Sequence, residues 1–317
     1  MNIKSFLKLV EIQTKVASMV PFFTGSLFAL YNYNQFNIKN FLIMLISLLS
    51  FDMVATTINN YIDYKDADKK HGYNYEIHNA IVRDNIEEAT VIKTIIILFS
   101  IASITGFFLF LNTDYVVLIL GIISFIVGIL YSYGPIPISR MPLGEIFSGF
   151  FMGFIIIFLA IYIHIFSTDI LNIFLKNNLI NIIFDYKEII KIFFVSLPAV
   201  NGIANIMLAN NICDVEDDLE NKRFTLVIHI GVNKALKLFK MIYYISYINI
   251  TILVLLNILP IFSLLVLLTY IPVKNNINKF FKNQKKNETF VLSVQNFLLI
   301  NISYALTFLI AKLVEIM

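Results

Sequence analysis

The chain has 317 residues, of which 58% are hydrophobic and only 14% are charged, and its mean hydropathy is +0.80. That balance excludes a water-soluble globule of this length and places the chain in a bilayer. A single cysteine, Cys213, excludes an internal disulfide and a Cys-x-x-Cys metal site, no nucleic-acid signature is present, and the net charge of +3 carries information only once it is mapped onto the loops.

At the start of the chain, Ile3, Phe6, Leu7 and Val10 recur at i, i+3, i+4 and i+7 with lysines between them, which predicts an interfacial helix that is retained and not a cleaved leader. Apolar runs of membrane-crossing length then predict an all-α polytopic membrane protein of about nine helices, at residues 16–32, 40–62, 91–111, 115–133, 143–166, 189–211, 238–258, 260–273 and 292–314. Asn257 and Pro260 divide the long run 238–273 into its two members. With the N-terminus cytoplasmic, only Lys39, Lys176, Lys187, Lys191 and Lys312 of the 24 basic residues fall on the outer side, as the positive-inside rule requires.

The second predicted helix closes on Asn59-Asn60-Tyr61-Ile62-Asp63-Tyr64-Lys65-Asp66, and the sixth on Asn210-Asn211-Ile212-Cys213-Asp214-Val215-Glu216-Asp217-Asp218. Both copies read Asn-Asn-x-x-Asp-x-x-Asp and face the same side. Helical spacing puts Asn59, Asp63 and Asp66 on one stripe and Asn210, Asp214, Asp217 and Asp218 on another. Carboxylates at helix C-termini oppose the macrodipole and repel one another, so capping is a poor reason for them and a bound divalent cation is a better one. The repeat implies a single domain, 1–317, made of two halves, about 16–133 and 143–273, followed by a ninth helix at 292–314.

Between the halves, Tyr-Ser-Tyr-Gly-Pro-Ile-Pro-Ile-Ser-Arg is stiffened by Pro135 and Pro137, with Pro142 just beyond, and offers Tyr131, Ser132 and Arg140 to a polar ligand at the membrane edge. After the second acidic motif, Lys222 and Arg223 lie within reach of the carboxylates and suit phosphate oxygens. Lys15 and Lys65 are weaker candidates of the same kind. His71, His78, His164 and His229 lack ligand spacing, and His164 reads first as a structural residue. The lysine-rich segment 274–288 reads as a solvated inner loop near anionic lipid, with no catalytic role.

Two acidic clusters flanked by cations on one side of a membrane suit a diphosphate bridged by Mg²⁺, a hard ion that takes one or two carboxylates and fills its other positions from phosphate oxygens and water. These motifs resemble the UbiA superfamily of intramembrane prenyltransferases, and the likeness spans nearly the whole chain. The second motif supplies Asp214 and Asp218 as Asp-x-x-x-Asp; the first departs, with Asn60 and Ala67 where the family carries Asp, leaving Asp66 or Asp68 to complete it. The resemblance implies Asn59, Asp63, Asp214 and Asp218 as metal ligands, with Lys222 and Arg140 near the diphosphate by position. Asp63, Asp214, Arg140 and Tyr131 are then the expected catalytic residues. Asn210-to-Thr225 and the Tyr131-to-Pro137 loop are most similar to the branch that prenylates 1,4-dihydroxy-2-naphthoate in menaquinone synthesis, which implies a polyprenyl diphosphate and an aromatic acceptor as partners and a cytoplasm-facing site in the cell membrane. Competing readings are a relative that prenylates 4-hydroxybenzoate, haem or a glycerol phosphate lipid, and a cation transporter. The transporter reading is opposed by the parallel sense of the repeat and by acids at helix ends.

Overall fold

A computed structural model describes residues 1–66, 76, 79–135, 137–176 and 179–316. Asp68, Ala67, His71 and His78 lie outside the described residues, as does the side chain of Asp66. The chain forms α1 (Ile3–Leu9), α2 (Val16–Tyr33), α3 (Ile38–Asp66), a short α4 (Ala80–Arg83), α5 (Glu88–Leu111), α6 (Tyr115–Ser132) and α7 (Gly144–Ile165). An antiparallel hairpin, β1 (Leu171–Lys176) and β2 (Leu179–Phe184), leads into α8 (Tyr186–Cys213), two short helices α9 (Val215–Glu220) and α10 (Leu226–Ile230), α11 (Val232–Leu255), a 3-10 stretch Ile261–Thr269 continued by α12 (Tyr270–Lys282), and α13 (Val291–Ile316).

Each of the nine apolar runs coincides with a helical element, and seven of these are long and apolar enough to cross a membrane. The fold is all-helical apart from one short hairpin that the sequence does not predict. Ile173 pairs with Ile182 in its register, so a short apolar run was folded back on itself instead of extending a helix. The segment at 260–273 also differs: it begins as a 3-10 helix after Pro260, whose ring lacks the N–H to continue the preceding turn, and becomes α-helical only from Tyr270.

Packing is close where side chains are absent. A Cβ on Gly153 of α7 would sit 2.5 Å from Val200 Cα of α8, so only glycine lets these two helices touch there. Within α7, residues Gly149–Ile155 widen into a π-helical turn. Polar side chains pin the remaining contacts from within the apolar bundle. Pro198 in α8 cannot donate to the carbonyl of Phe194, and Asn249 Nδ2 of α11 takes that carbonyl at 2.9 Å. Asn205 Nδ2 donates to Phe239 O at 2.9 Å, and Tyr304 OH to Val195 O at 3.2 Å.

The ends of the helices sort into two layers. At one, Asn37 N–H donates to His164 Nδ1 at 2.9 Å, and Tyr162 bonds Asp114. His164 also stacks on Phe36, 4.6 Å between ring centres, so it is a structural residue far from the acidic motifs. At the other layer the C-terminal ends of α3, α6 and α8 meet the loops 133–143, 214–225 and 283–290. Both acidic motifs lie there.

Candidate functional site

Asn59 and Asp63 stand one turn apart near the end of α3, and Asn59 Nδ2 faces Asp63 Oδ2 at 3.4 Å. Ser132, the last residue of α6, donates to Asn59 Oδ1 at 3.0 Å and fixes the amide's orientation. Across the site, α8 ends at Cys213, and Asp214 forms a break in the helix before α9 restarts. The stripe survives that break because Asp218 N–H still donates to Asp214 O, at 2.7 Å. Residues that begin 151 positions apart in sequence thus face one cavity, whose lining includes Asn59, Asp63, Asn210, Asp214, Asp217 and Asp218.

Each acidic cluster holds one basic side chain from a neighbouring loop. Arg223 Nη2 pairs with Asp63, joining the second loop to the first motif. Lys286 Nζ pairs with Asp214 and also bonds Asn210 Oδ1. Burial opposes the charge on Arg223, but Asp63, Asp218 and Asp214 outweigh it and hold the guanidinium above its ordinary value. Asp218 is 6% exposed, and among the described residues its Oδ2 meets no hydrogen-bond donor. Burial pushes its carboxyl up to about 7, with Arg223 pulling the other way and Asp214 adding to the rise.

The cavity has a volume of about 750 Å³ and changes character along its length. Its mouth is polar; its inner part is walled by Leu48, Phe51, Phe107, Phe125, Phe151 and Ile155. Phe51 and Phe125 stack face to face at 3.9 Å, and a Cβ on Gly128 would meet the Phe51 ring at 2.7 Å. Charge is thus concentrated at one end of a hydrophobic groove, with Asp52 as the charged residue further in.

Of the other expected residues, Tyr131, Ser132 and Arg223 line the cavity, and the Tyr131 hydroxyl accepts from Ser148 Oγ at 2.9 Å. Lys15, Lys65, Arg140 and Lys222 are not among its lining residues. Lys65 turns to Glu88 at 2.7 Å on the exposed side of α3. Arg140 meets the second motif's loop through its backbone, its carbonyl accepting Phe224 N–H at 3.1 Å. Lys15, 3% exposed, donates to Asp52 Oδ1 at 2.7 Å and Thr56 Oγ1 at 2.6 Å, with Ser18 bonded to the other Asp52 oxygen. Asp52 faces the cavity two turns inward of Asn59, about 10 Å along the helix. Lys286 corrects the reading of 274–288 as a loop without a part in the site; nothing in a lysine-rich loop marks which lysine folds inward.

Asn60 explains one departure in the first motif. Its Nδ2 donates to Leu9 O at 3.0 Å, tying α3 to the end of α1, and its own carbonyl accepts Asn79 Nδ2 at 2.8 Å. An aspartate could not make the first of these bonds.

The donors facing the cavity mouth are hard oxygens, which suit a small divalent cation of the Mg²⁺ kind. Among the described residues, no three His, Cys, Asp or Glu side chains form a group that could cage a metal unaided. The unpartnered Asp218 Oδ2, with Asp63 and Asp214, fits an ion that draws one or two carboxylates from protein and the rest from phosphate oxygens and water.

The sequence profile of the UbiA prenyltransferase family matches residues 18–302. The chain belongs to this family. Among curated relatives, the 1,4-dihydroxy-2-naphthoate octaprenyltransferase of Bacillus subtilis (strain 168) is 29% identical over 244 residues, covering 76% of this chain and 70% of the relative. Among solved structures, the UbiA homologue from Aeropyrum pernix K1 has a TM-score of 0.69 at 14% identity and covers 96% of this chain and 99% of its own. The UbiA homologue from Archaeoglobus fulgidus, bound to GPP and Mg²⁺, has a TM-score of 0.66 at 15% identity, with 97% and 99% covered. As a UbiA-family prenyltransferase, this chain is an integral membrane enzyme, and the similarity to both structures extends across the whole bundle.

Proposed function

We propose that this enzyme transfers a polyprenyl group from an all-trans polyprenyl diphosphate to 1,4-dihydroxy-2-naphthoate, with loss of the ring carboxylate as CO₂, giving the quinol form of demethylmenaquinone. The observation that carries the reading is the single cavity that joins two acidic clusters at its mouth to an aromatic-walled interior. A diphosphate lies between Asn59 and Asp63 on one side and Asn210, Asp214 and Asp218 on the other, and the prenyl tail runs inward along Phe51, Phe107 and Phe125. We infer Mg²⁺ as the cofactor, since the Archaeoglobus homologue was bound to GPP and Mg²⁺ and the oxygen donors here suit that ion. Bound at these carboxylates, Mg²⁺ supplies the positive charge that the departing diphosphate oxygens require.

Chemistry then follows from charge placement. The allylic C–O bond breaks with its electron pair leaving on the diphosphate, and Arg223 lies within reach of that developing charge. The carboxylate-bearing ring carbon of the acceptor attacks the allylic carbon, and the carboxylate on that ring carbon departs as CO₂, returning its electron pair to the ring. The phenylalanine walls keep water from the allylic cation, and their ring faces stabilise its charge. Tyr131 and Ser132, at the same mouth, are placed to orient the acceptor or the diphosphate. Nine crossings with the N-terminus inside put this mouth on the cytoplasmic face of the cell membrane, supported by the distribution of lysine and arginine among the loops.

The acceptor assignment rests on the Bacillus relative and on the residue likeness around Tyr131–Pro137 and Asn210–Thr225. Purified protein with Mg²⁺ and a prenyl diphosphate, offered 1,4-dihydroxy-2-naphthoate and 4-hydroxybenzoate in parallel, tests it. Prenylated naphthoquinol with CO₂ release is the expected result; turnover of 4-hydroxybenzoate alone overturns the acceptor.

A further inference from the structure

Lys286 comes from the turn between α12 and α13, a lysine-rich segment whose composition alone points only to a solvated loop. The turn is built to hold its shape. Thr289 Oγ1 accepts Lys285 N–H at 3.0 Å, Gln284 Nε2 donates to Phe280 O at 2.6 Å, and Asn283 Nδ2 donates to Glu288 at 2.8 Å. From this frame Lys286 reaches back to α8, where its ammonium bonds both Asn210 and Asp214 while resting 5.1 Å from the centre of the Phe290 ring. Asp214 and Lys286 also line a second cavity of about 520 Å³, together with Glu216, Gln284 and Asn287. The ammonium therefore borders both cavities.

We propose that Lys286 is a built-in counter-cation of the second acidic cluster, which holds Asn210 and Asp214 until the metal and diphosphate arrive and then transfers its hydrogen bonds to diphosphate oxygens. This rests on the reading of the cavity mouth as a metal-diphosphate site. The physical argument is one of competition. Lys286 holds Asn210 Oδ1 and Asp214 Oδ2, so a divalent ion that takes these oxygens competes with the ammonium for them, and the nearest anion to receive the lysine is the diphosphate that bridges the clusters. A lone divalent ion has to displace Lys286 with nothing to receive it; an ion arriving with diphosphate does not. Metal and diphosphate binding are coupled by this side chain, and Arg223 stands in the same relation to Asp63.

The test uses the full-length protein in detergent with Mn²⁺ as a spectroscopically visible ion and inorganic pyrophosphate as a non-reacting diphosphate. Lys286→Gln should bind Mn²⁺ alone roughly three- to tenfold more tightly than the parent, because its competitor is gone. With Mn²⁺ saturating, the same variant should bind pyrophosphate about tenfold or more weakly, having lost a charge-assisted hydrogen bond. Lys286→Arg, which keeps the charge, should restore pyrophosphate binding to within about threefold. A merely structural staple would not tighten metal binding when removed. Unchanged or weaker Mn²⁺ binding in Lys286→Gln, or unchanged pyrophosphate binding, overturns the proposal. Asp214→Asn serves as the control for the underlying reading: if it loses Mn²⁺ binding while Lys286→Gln changes nothing, only the role of Lys286 fails, and if it binds Mn²⁺ like the parent, the cluster itself is not the metal site.

Discussion

Asp52→Asn probes the buried clamp that ties α2 to α3 beside the cavity. Lys15 gives its ammonium to Asp52 Oδ1, Asp52 O and Thr56 Oγ1, while Ser18 donates to the second carboxylate oxygen. The side chains of Lys15 and Asp52 are only 4% and 13% exposed, so water compensates little for a lost partner. Breaking such a pair from one side costs about 3–5 kcal/mol, because the remaining charge stays buried. Asparagine keeps the shape and one acceptor oxygen, which places the expected loss near the lower end, about 3 kcal/mol. Lys15→Met with Asp52→Asn removes both charges and should recover most of that loss. Denaturant titration in detergent, followed by far-ultraviolet circular dichroism, measures these two variants, the single Lys15→Met and the parent in one double-mutant cycle. A single Asp52→Asn within about 0.5 kcal/mol of the parent would refute the reasoning, since an unpaired ammonium in that position cannot be neutral to stability.

Two further outcomes follow from the site's surroundings. Asn60→Asp should destabilise the protein by about 1–3 kcal/mol without restoring a ligand, because it removes the donor to Leu9 O and turns a carboxylate toward a carbonyl; equal or greater melting stability would show that Asn60 stands in for an absent acid. Asp218, raised from 3.8 to about 7 by burial, favours its protonated form in the folded chain, so the stability it confers is present in full below pH 3.8 and is lost as pH rises through about 7. Metal binding needs the ionised form, so the apparent Mg²⁺ affinity should rise over the same interval, up to about tenfold per pH unit below 7. Melting curves against pH, with and without Mg²⁺, read both effects, and an identical pH dependence in Asp218→Asn would assign them elsewhere.

Hydrophobic runs and motif spacing are local signals, and they carried well. The helices at 91–111 and 115–133 lie within a few residues of Glu88–Leu111 and Tyr115–Ser132, since nothing but a helix satisfies an apolar backbone of that length in lipid. The two Asn-Asn-x-x-Asp motifs face one cavity because each marks the same place on a helix of the same sense. Partnerships across the fold left no such trace. Lys15 and Lys65 looked like substrate ligands until Asp52 and Glu88, 37 and 23 residues away, were seen to hold them. Lys286 was hidden among five lysines between positions 274 and 286 for the opposite reason: its partner is 72 residues upstream. The β1–β2 hairpin escaped because its apolar residues form a run too short for a crossing and without the alternation of a half-buried strand.

The measurement closest to the central claim is prenyl transfer by Asp63→Asn and Asp214→Asn, each assayed as membrane-inserted protein with Mg²⁺ and with excess EDTA. If the two motifs form one diphosphate site, each variant should lose at least about a hundredfold in kcat/KM, the loss of several kcal/mol of charge stabilisation, and EDTA should abolish turnover of the parent. Undiminished turnover in either variant, or full activity in EDTA, would contradict it.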